Sequence, residues 1–269
     1  MKFIFFLLTV VSGFTIPNTR IVVLPGYGCC KDDYQDIVNS CAVHNVDVDI
    51  VPIERHDWIQ PMKSVFKKKF WDYKLTPEDS FDWYLEKAKH TIIESVKKND
   101  DYSIVLCGHS AGGWLGRALL QNGTFYGTNK KAYQYVYGVV TLGTPNVIED
   151  NHKLDTTHGC LHYVNKNFPG SFLKKQGIKY ISLGSYAKKA SKTDAYKFYN
   201  ENSIVYKSYS TILGKNSGEH IYGDGVVPLD SMHIQDAIQL TFHDVFHYKQ
   251  KDKKWYGDPY VVNAWLGYL

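Results

Sequence analysis

The pentapeptide Gly108-His109-Ser110-Ala111-Gly112 carries the sharpest chemical signal in the chain. A serine hydroxyl is a poor nucleophile until a base takes its proton. A strand that turns abruptly into a helix exposes such a hydroxyl at the carboxyl end of a sheet, and flanking glycines let the two backbones approach. The pentapeptide alone is common by chance. Here the apolar run Tyr102 to Cys107 predicts a strand before it, and Trp114 to Gln121 resumes helical periodicity after it. On this reading Ser110 attacks an acyl carbon and forms a covalent intermediate. The alternative is a Gly-rich turn with a structural role only.

That chemistry dictates what else must be present. The oxygen anion of a tetrahedral intermediate needs hydrogen-bond donors. The N–H of Ala111, next after the nucleophile, is one. The other is expected in the turn Pro25-Gly26-Tyr27-Gly28, with Tyr27 as donor. An acid and then a histidine should follow Ser110 in the chain. Gly223-Asp224-Gly225-Val226-Val227-Pro228 places a carboxylate in a tight loop, and Asp194 and Asp230 are its rivals. His233, His243 and His247 qualify by order. A catalytic histidine belongs between the last strand, Ile238 to Phe242, and the final helix. His247 fits best and His243 is the runner-up. His109 is expected to pack against the turn or orient it, not to act as base.

The elements that must position these groups alternate. Strands are expected at Arg20 to Leu24, Val46 to Ile53, Tyr102 to Cys107, Tyr135 to Leu142, Ile178 to Leu183 and Ile238 to Phe242. Helices are expected at Asp32 to His44, at Trp114 to Gln121 and near the C-terminus from Asp258 to Tyr268. Another runs from Thr76, with Pro77 in its first turn and Asp79 at the capping-box position, to about Lys98. Such alternation implies an α/β fold with a mostly parallel sheet and helices on both faces. The pattern lapses near 55–75, 147–177 and 185–217, where cap or lid segments are expected. Trp58, Phe66, Phe70, Trp71 and the Tyr-rich stretch Tyr186 to Tyr209 are candidates for a lid over an acyl pocket.

Composition limits the alternatives. The 269 residues suit one large domain, and the net charge of +4 is spread along the chain, which does not resemble the dense basic stripe of a nucleic-acid binder. Lys2 followed by apolar Phe3 to Val11 and small Ser12-Gly13 reads as a signal peptide over 1–13, the alternative being a buried first strand. This predicts the secretory pathway or secretion. Phe14 and Pro17 also resemble the cleavage site of plastid-targeted proteins in algae with complex plastids, which leaves a plastid reached by that route as the alternative. Of Cys29, Cys30, Cys41, Cys107 and Cys160, at least one must be free, and Cys41 could pair with Cys29 or Cys30. No Cys-x-x-Cys exists and the serine chemistry needs no helper, so neither a metal nor an organic cofactor is expected.

Several strings together resemble the plant, algal and cyanobacterial α/β-hydrolases grouped near the GPI-inositol-deacylase-like lipases. They are Gly108-His109-Ser110-Ala111-Gly112-Gly113-Trp114-Leu115, Phe81-Asp82-Trp83-Tyr84-Leu85, Thr141-Leu142-Gly143-Thr144-Pro145, Gly223 to Pro228, and Trp255-Tyr256-Gly257. The likeness runs from about Arg20 to the C-terminus. It implies an α/β-hydrolase fold, Ser110 as nucleophile, Asp224 as the acid that orients the base, and His247, in Val245-Phe246-His247, as base. The sequence departs from the group at Asn146, where His is usual, and at Phe168, where Cys is usual. Both are expected to reshape the acyl pocket. The activity implied is that of a lipase or esterase on a small-molecule ester or a lipid, with peripheral membrane contact a further expectation. A lipid acyltransferase, a peptidase and a non-catalytic binding scaffold are the alternatives.

Overall fold

The computed structural model describes residues 18–98, 103–121, 123–148, 155–191, 201–213 and 220–269. The signal-peptide reading of 1–13, the rival acid Asp194 and parts of the 147–177 and 185–217 segments lie outside these residues.

Six strands form one sheet: β1 (Thr19–Leu24), β2 (Asp47–Ile50), β3 (Ser103–His109), β4 (Val136–Leu142), β5 (Lys179–Ser185) and β6 (Ile238–Phe242). Their order is β2-β1-β3-β4-β5-β6 and every pairing is parallel. A parallel sheet needs helical crossovers, which cover both faces, so its central strands are buried over nearly their whole length, while the edge strands β2 and β6 alternate apolar with polar residues. Ile21, Val22, Val23 and Leu24 are all fully buried. Val22, Leu24, Ile104 and Leu106 face one core, while Ile21, Val23, Val105 and Cys107 face the other. The first core is closed by α2 (Pro77–Lys98), α3 (Ala111–Leu120) and α4 (Cys160–Asn167). The second is closed by α1 (Gln35–Ala42) and α6 (Pro259–Leu266). A further helix, α5 (Glu201–Ile212), packs Val205, Tyr206 and Tyr209 into a small cluster of its own.

Several boundaries differ from the expected ones for local reasons. Strand β2 stops short because Pro52 has no N–H for the ladder. The first expected helix opens as a tight turn, Lys31–Tyr34, before α1 begins. Helix α2 matches its expected span, and the Asp79 carboxylate accepts the Thr76 N–H at 3.0 Å. It breaks at Phe81 (φ −120°, ψ 16°), whose ring then meets Trp114 edge-on. No disulfide joins Cys41 to Cys29 or Cys30: all five cysteines are free and buried, Cys41 on the core face of α1. Among the described residues no helix is long and apolar enough to cross a membrane.

Helix α3 starts at Ala111, three residues before apolar periodicity suggested, because two glycines hide its first turn. Those glycines are needed. A Cβ on Gly112 would lie 2.0 Å from the Leu24 carbonyl oxygen of β1, and one on Gly108 would lie 2.4 Å from the Gly113 Cα. The strand, the turn and the helix can close on one another only without side chains there. Gly112→Ala should therefore lower the thermal midpoint by about 2–10 °C, since overpacking costs ~1–3 kcal/mol and a chain of this size loses a few degrees per kcal/mol. Differential scanning calorimetry of the purified variant measures it.

Candidate active site

The parallel register brings the carboxyl ends of β1, β3 and β4 together: Leu24 pairs with Gly108, and His109 with Leu142. The strand order reverses direction between β1 and β3, and crevices form at the carboxyl ends of strands at such a point. Ser110 occupies it. Its backbone has φ 51° and ψ −120°, a left-handed conformation that costs a non-glycine residue of order 1–3 kcal/mol. The strain is held by the Ser110 N–H to the Leu142 carbonyl at 2.9 Å and the Gly113 N–H to the Ser110 carbonyl at 3.1 Å.

Ser110 and Ala111 lie in the wall of a cavity of about 540 Å³. Its other walls include Phe70, Leu75, Phe81, Trp114 and Leu161. The cavity is mainly apolar, with a few polar groups near the serine, as a site for an apolar ligand with one reactive end would be. Ala111 is the first residue of α3, so its N–H points out of the helix end. Across from it, the Tyr27 N–H has no acceptor among the described residues, whereas the Gly26 N–H donates to the Tyr34 hydroxyl at 2.8 Å. Of these two, only the Gly26 N–H is taken up by a partner among the described residues.

Asp224 and His247 meet in the interior, each about 1% exposed. His247 Nδ1 lies 2.7 Å from Asp224 Oδ2. The same carboxylate accepts the Tyr256 hydroxyl at 3.1 Å and the N–H groups of Val226 and Val227 at 3.0 and 2.8 Å. Its loop is braced from outside by the Tyr209 hydroxyl, which accepts the Gly225 N–H at 2.9 Å. A carboxylate so held accepts the imidazole Nδ1 proton and leaves a lone pair on Nε2. That Nε2 is buried and has no hydrogen-bond partner among the described residues. His247 lies beside the Ser110 turn: its ring centroid is 4.8 Å from that of His109, and its carbonyl accepts the His109 Nε2–H at 3.0 Å. Ser110 Oγ makes no hydrogen bond to Nε2 here; such bonds commonly tighten only as substrate binds.

The rivals sit elsewhere. His243 is on the surface against the Tyr186 hydroxyl. His233 bonds to Thr241 at 2.9 Å and to Ser182 at 3.3 Å. Asp230 is exposed in the single turn Leu229–Met232. The lid reading needs correction at Trp58, which is buried against Trp83 and Tyr84 with its Nε1 on the Cys29 carbonyl at 2.8 Å. Of the aromatic lid candidates in 55–75, Phe70 reaches the cavity, while Phe66 and Trp71 face outward.

Asn146 and Phe168 also need correction, because neither lines the cavity that contains Ser110. Their carbonyls accept from the buried Arg117 guanidinium at 3.2 and 3.1 Å, beside a separate cavity of about 530 Å³. Among the described residues Arg117 has no carboxylate partner, and burial pulls its pKa down to about 10.

Four residues of this centre carry no site signal in the sequence: Tyr34, Tyr248, Tyr256, and Tyr209, which stands there only at the end of the Tyr-rich stretch. Tyr248 follows His247, stacks edge-on against its ring and lines the cavity with Ser110. Tyr256 sits in a string that the resemblance marked without giving it a role.

Burial, reinforced by the neighbouring His247, holds the His109 pKa well below the usual histidine value. His109 is therefore neutral when folded but takes up a proton in the unfolded chain below about pH 6.5. Stability should be level above that pH and fall below it by about 1.4 kcal/mol per pH unit for each such histidine. Thermal midpoints compared at pH 7.5 and 5.5 should show this loss, and His109→Gln should show less of it.

A family model described as lipase (class 3) matches residues 31–167, just over half of the chain. Among solved structures, a metagenomic carboxyl esterase superposes with a TM-score of 0.55 at 14% identity, over 95% of this chain and 76% of its own. A protein from Thermus thermophilus gives a TM-score of 0.46 at 12% identity, over 94% and 87%. No curated protein matches the sequence. Identities this low speak for the fold alone, and that fold, a parallel sheet covered by helices on both faces, is the α/β-hydrolase fold.

Proposed function

The chain belongs to the class 3 lipase family and is a carboxylic ester hydrolase; from that premise we propose that it cleaves lipid esters through an acyl-enzyme on Ser110. His247 Nε2 takes the Ser110 proton as Oγ attacks the acyl carbon. The Ala111 and Tyr27 N–H groups receive the oxygen anion. His247 returns the proton to the departing alcohol, and the acyl-enzyme forms. Water, deprotonated by the same nitrogen, then attacks the acyl carbon; the bond to Ser110 Oγ breaks, His247 returns the proton to Oγ, and the acid leaves. Asp224 stays a carboxylate, fixing the imidazole tautomer and facing the charge that His247 gains. The observation that carries this reading is the buried, unpartnered Nε2 of an imidazole whose other nitrogen is bound to a carboxylate, beside a strained serine.

A lipid as substrate is supported by the apolar cavity and by what surrounds its mouth. Met62 and Tyr27 line the cavity yet are largely exposed. Ile59, Phe66 and Trp71 are exposed on the neighbouring segment, among Lys63, Lys68 and Lys74. An apolar patch set in lysines suits the surface of an anionic lipid layer. The resemblance to the GPI-inositol-deacylase-like group and the signal peptide expected over 1–13 complete the reading as a secretory-route enzyme, with a plastid beyond that route as the alternative. N-terminal sequencing of protein from its native cells tests the cleavage after Gly13.

Hydrolysis of p-nitrophenyl esters of graded chain length tests the chemistry. Ser110→Ala and His247→Ala should each lose activity by about 10³-fold or more, Asp224→Asn by a similar factor, and His243→Ala should lose none. Full activity in Ser110→Ala would refute the mechanism. Preference for acetate over octanoate would remove the lipid and keep the ester. Ester formed with an added alcohol would indicate acyl transfer instead. Phe66→Ser combined with Trp71→Ser should weaken co-sedimentation with phosphatidylserine vesicles several-fold while leaving turnover of soluble acetate esters unchanged.

A further inference from the structure

One buried imidazole touches two loops that converge behind the serine. His109 precedes Ser110 at the end of β3, and its Nε2 lies 3.0 Å from the His247 carbonyl oxygen. A carbonyl can only accept, so Nε2 carries the proton and Nδ1 keeps a lone pair. The Tyr34 hydroxyl lies 2.9 Å from Nδ1 and must therefore donate to it. The Tyr34 oxygen is then left to accept the Gly26 N–H at 2.8 Å. The directions are fixed from end to end. Gly26 N–H gives to Tyr34, Tyr34 O–H gives to His109, and His109 Nε2–H gives to the His247 carbonyl. Reversing any link would leave two buried donors, or two acceptors, facing each other, which costs of order 1–3 kcal/mol per group.

We propose that His109 and Tyr34 are positioning residues for ester hydrolysis, a one-way hydrogen-bond relay that holds the Tyr27 loop, the nucleophile turn and the His247 loop in one register. The proposal rests on the reading of Ser110 as nucleophile and His247 as base. Two of the three points that fix His247 come from Asp224, whose carboxylate holds Nδ1 and whose carbonyl accepts the His247 N–H at 3.0 Å. The third is the His109 bond to the His247 carbonyl. Without it the backbone is held from one side only, and Nε2 can drift from Oγ. At the other end of the relay, Tyr34 holds the Gly26 N–H, so the next N–H, on Tyr27, is the one presented to the oxygen anion.

Neither His109 nor Tyr34 lines the cavity that contains Ser110, so neither should contact the acyl chain. Their loss should therefore fall on kcat and leave KM almost alone. The neutrality of His109 serves the same end. When His247 becomes positive, the ring 4.8 Å away carries no charge to oppose it.

The test compares Tyr34→Phe, His109→Leu and His109→Gln with p-nitrophenyl octanoate, with thermal midpoints as a check on folding. Glutamine can return an N–H near the Nε2 position, and leucine cannot. Tyr34→Phe and His109→Leu should lower kcat about 10–100-fold, the cost of an ångström-scale misplacement, with KM within about twofold. His109→Gln should recover about tenfold over His109→Leu. The relay is overturned by wild-type kcat in a folded Tyr34→Phe or His109→Leu protein, by glutamine performing no better than leucine, or by a loss confined to KM. Fluorophosphonate labelling of the wild type separates the two levels of the argument. Labelled Ser110 with unaffected relay variants removes the relay alone. An unlabelled Ser110 with activity intact in Ser110→Ala removes the nucleophile reading, and the relay with it.

Discussion

The close approach of two backbones underlies the whole site. The Leu24 carbonyl at the end of β1 sits where any side chain on Gly112 would have to be. That contact fixes the first turn of α3 against the neighbouring strand and so fixes where Ser110 must bend. The bend in turn sets the direction of the Ala111 N–H, and the β1 turn brings Gly26 and Tyr27 alongside. A parallel sheet whose strands end level provides this geometry, because β1, β3 and β4 all finish within one residue of the same line. The helices on either face supply the apolar burial that holds the strained serine in place.

The polar centre is ordered by hydrogen-bond direction more than by charge. Asp224 accepts four bonds from four different groups, the Tyr256 hydroxyl among them. Burial keeps the Tyr34 and Tyr256 phenols protonated, their pKa values pushed well above the usual tyrosine value, so both remain available as donors. In a region without solvent each donor must find an acceptor, and only one assignment of protons satisfies every link. The exception is His247 Nε2, the atom whose free lone pair the proposed chemistry would use.

Legibility in the sequence followed locality. Ser110, Asp224 and His247 stand in short strings whose glycines or strand ends announce a sharp loop, so their neighbourhoods could be read one at a time. The alternation of strands and helices gave the layered fold for the same reason. Tyr34 showed only as one apolar position in an amphipathic stretch, and its partner His109 is 75 residues away. Tyr256 meets Asp224 across 32 residues. Pairings over such distances leave no periodic trace. Trp58 misled because an aromatic residue in an irregular segment reads the same whether it covers a cavity or fills a core. Asn146 and Phe168 misled because departures from a resemblance show where a chain differs, not which cavity it faces.

The order of the site along the chain has a consequence for biosynthesis. Strands β1, β3 and β4, with α3, complete the nucleophile turn within the first 142 residues. His247 enters only after the edge strand β6 and is held by Asp224, whose carboxylate in turn accepts the Tyr256 hydroxyl. Chains emerge from the ribosome N-terminus first and fold as they go. A nascent chain therefore carries its serine folded into the strained turn with no imidazole to take its proton. On the proposed mechanism the pairing of Ser110 with its base waits for these late residues, so a product truncated before residue 247 should lack it however well its sheet has formed.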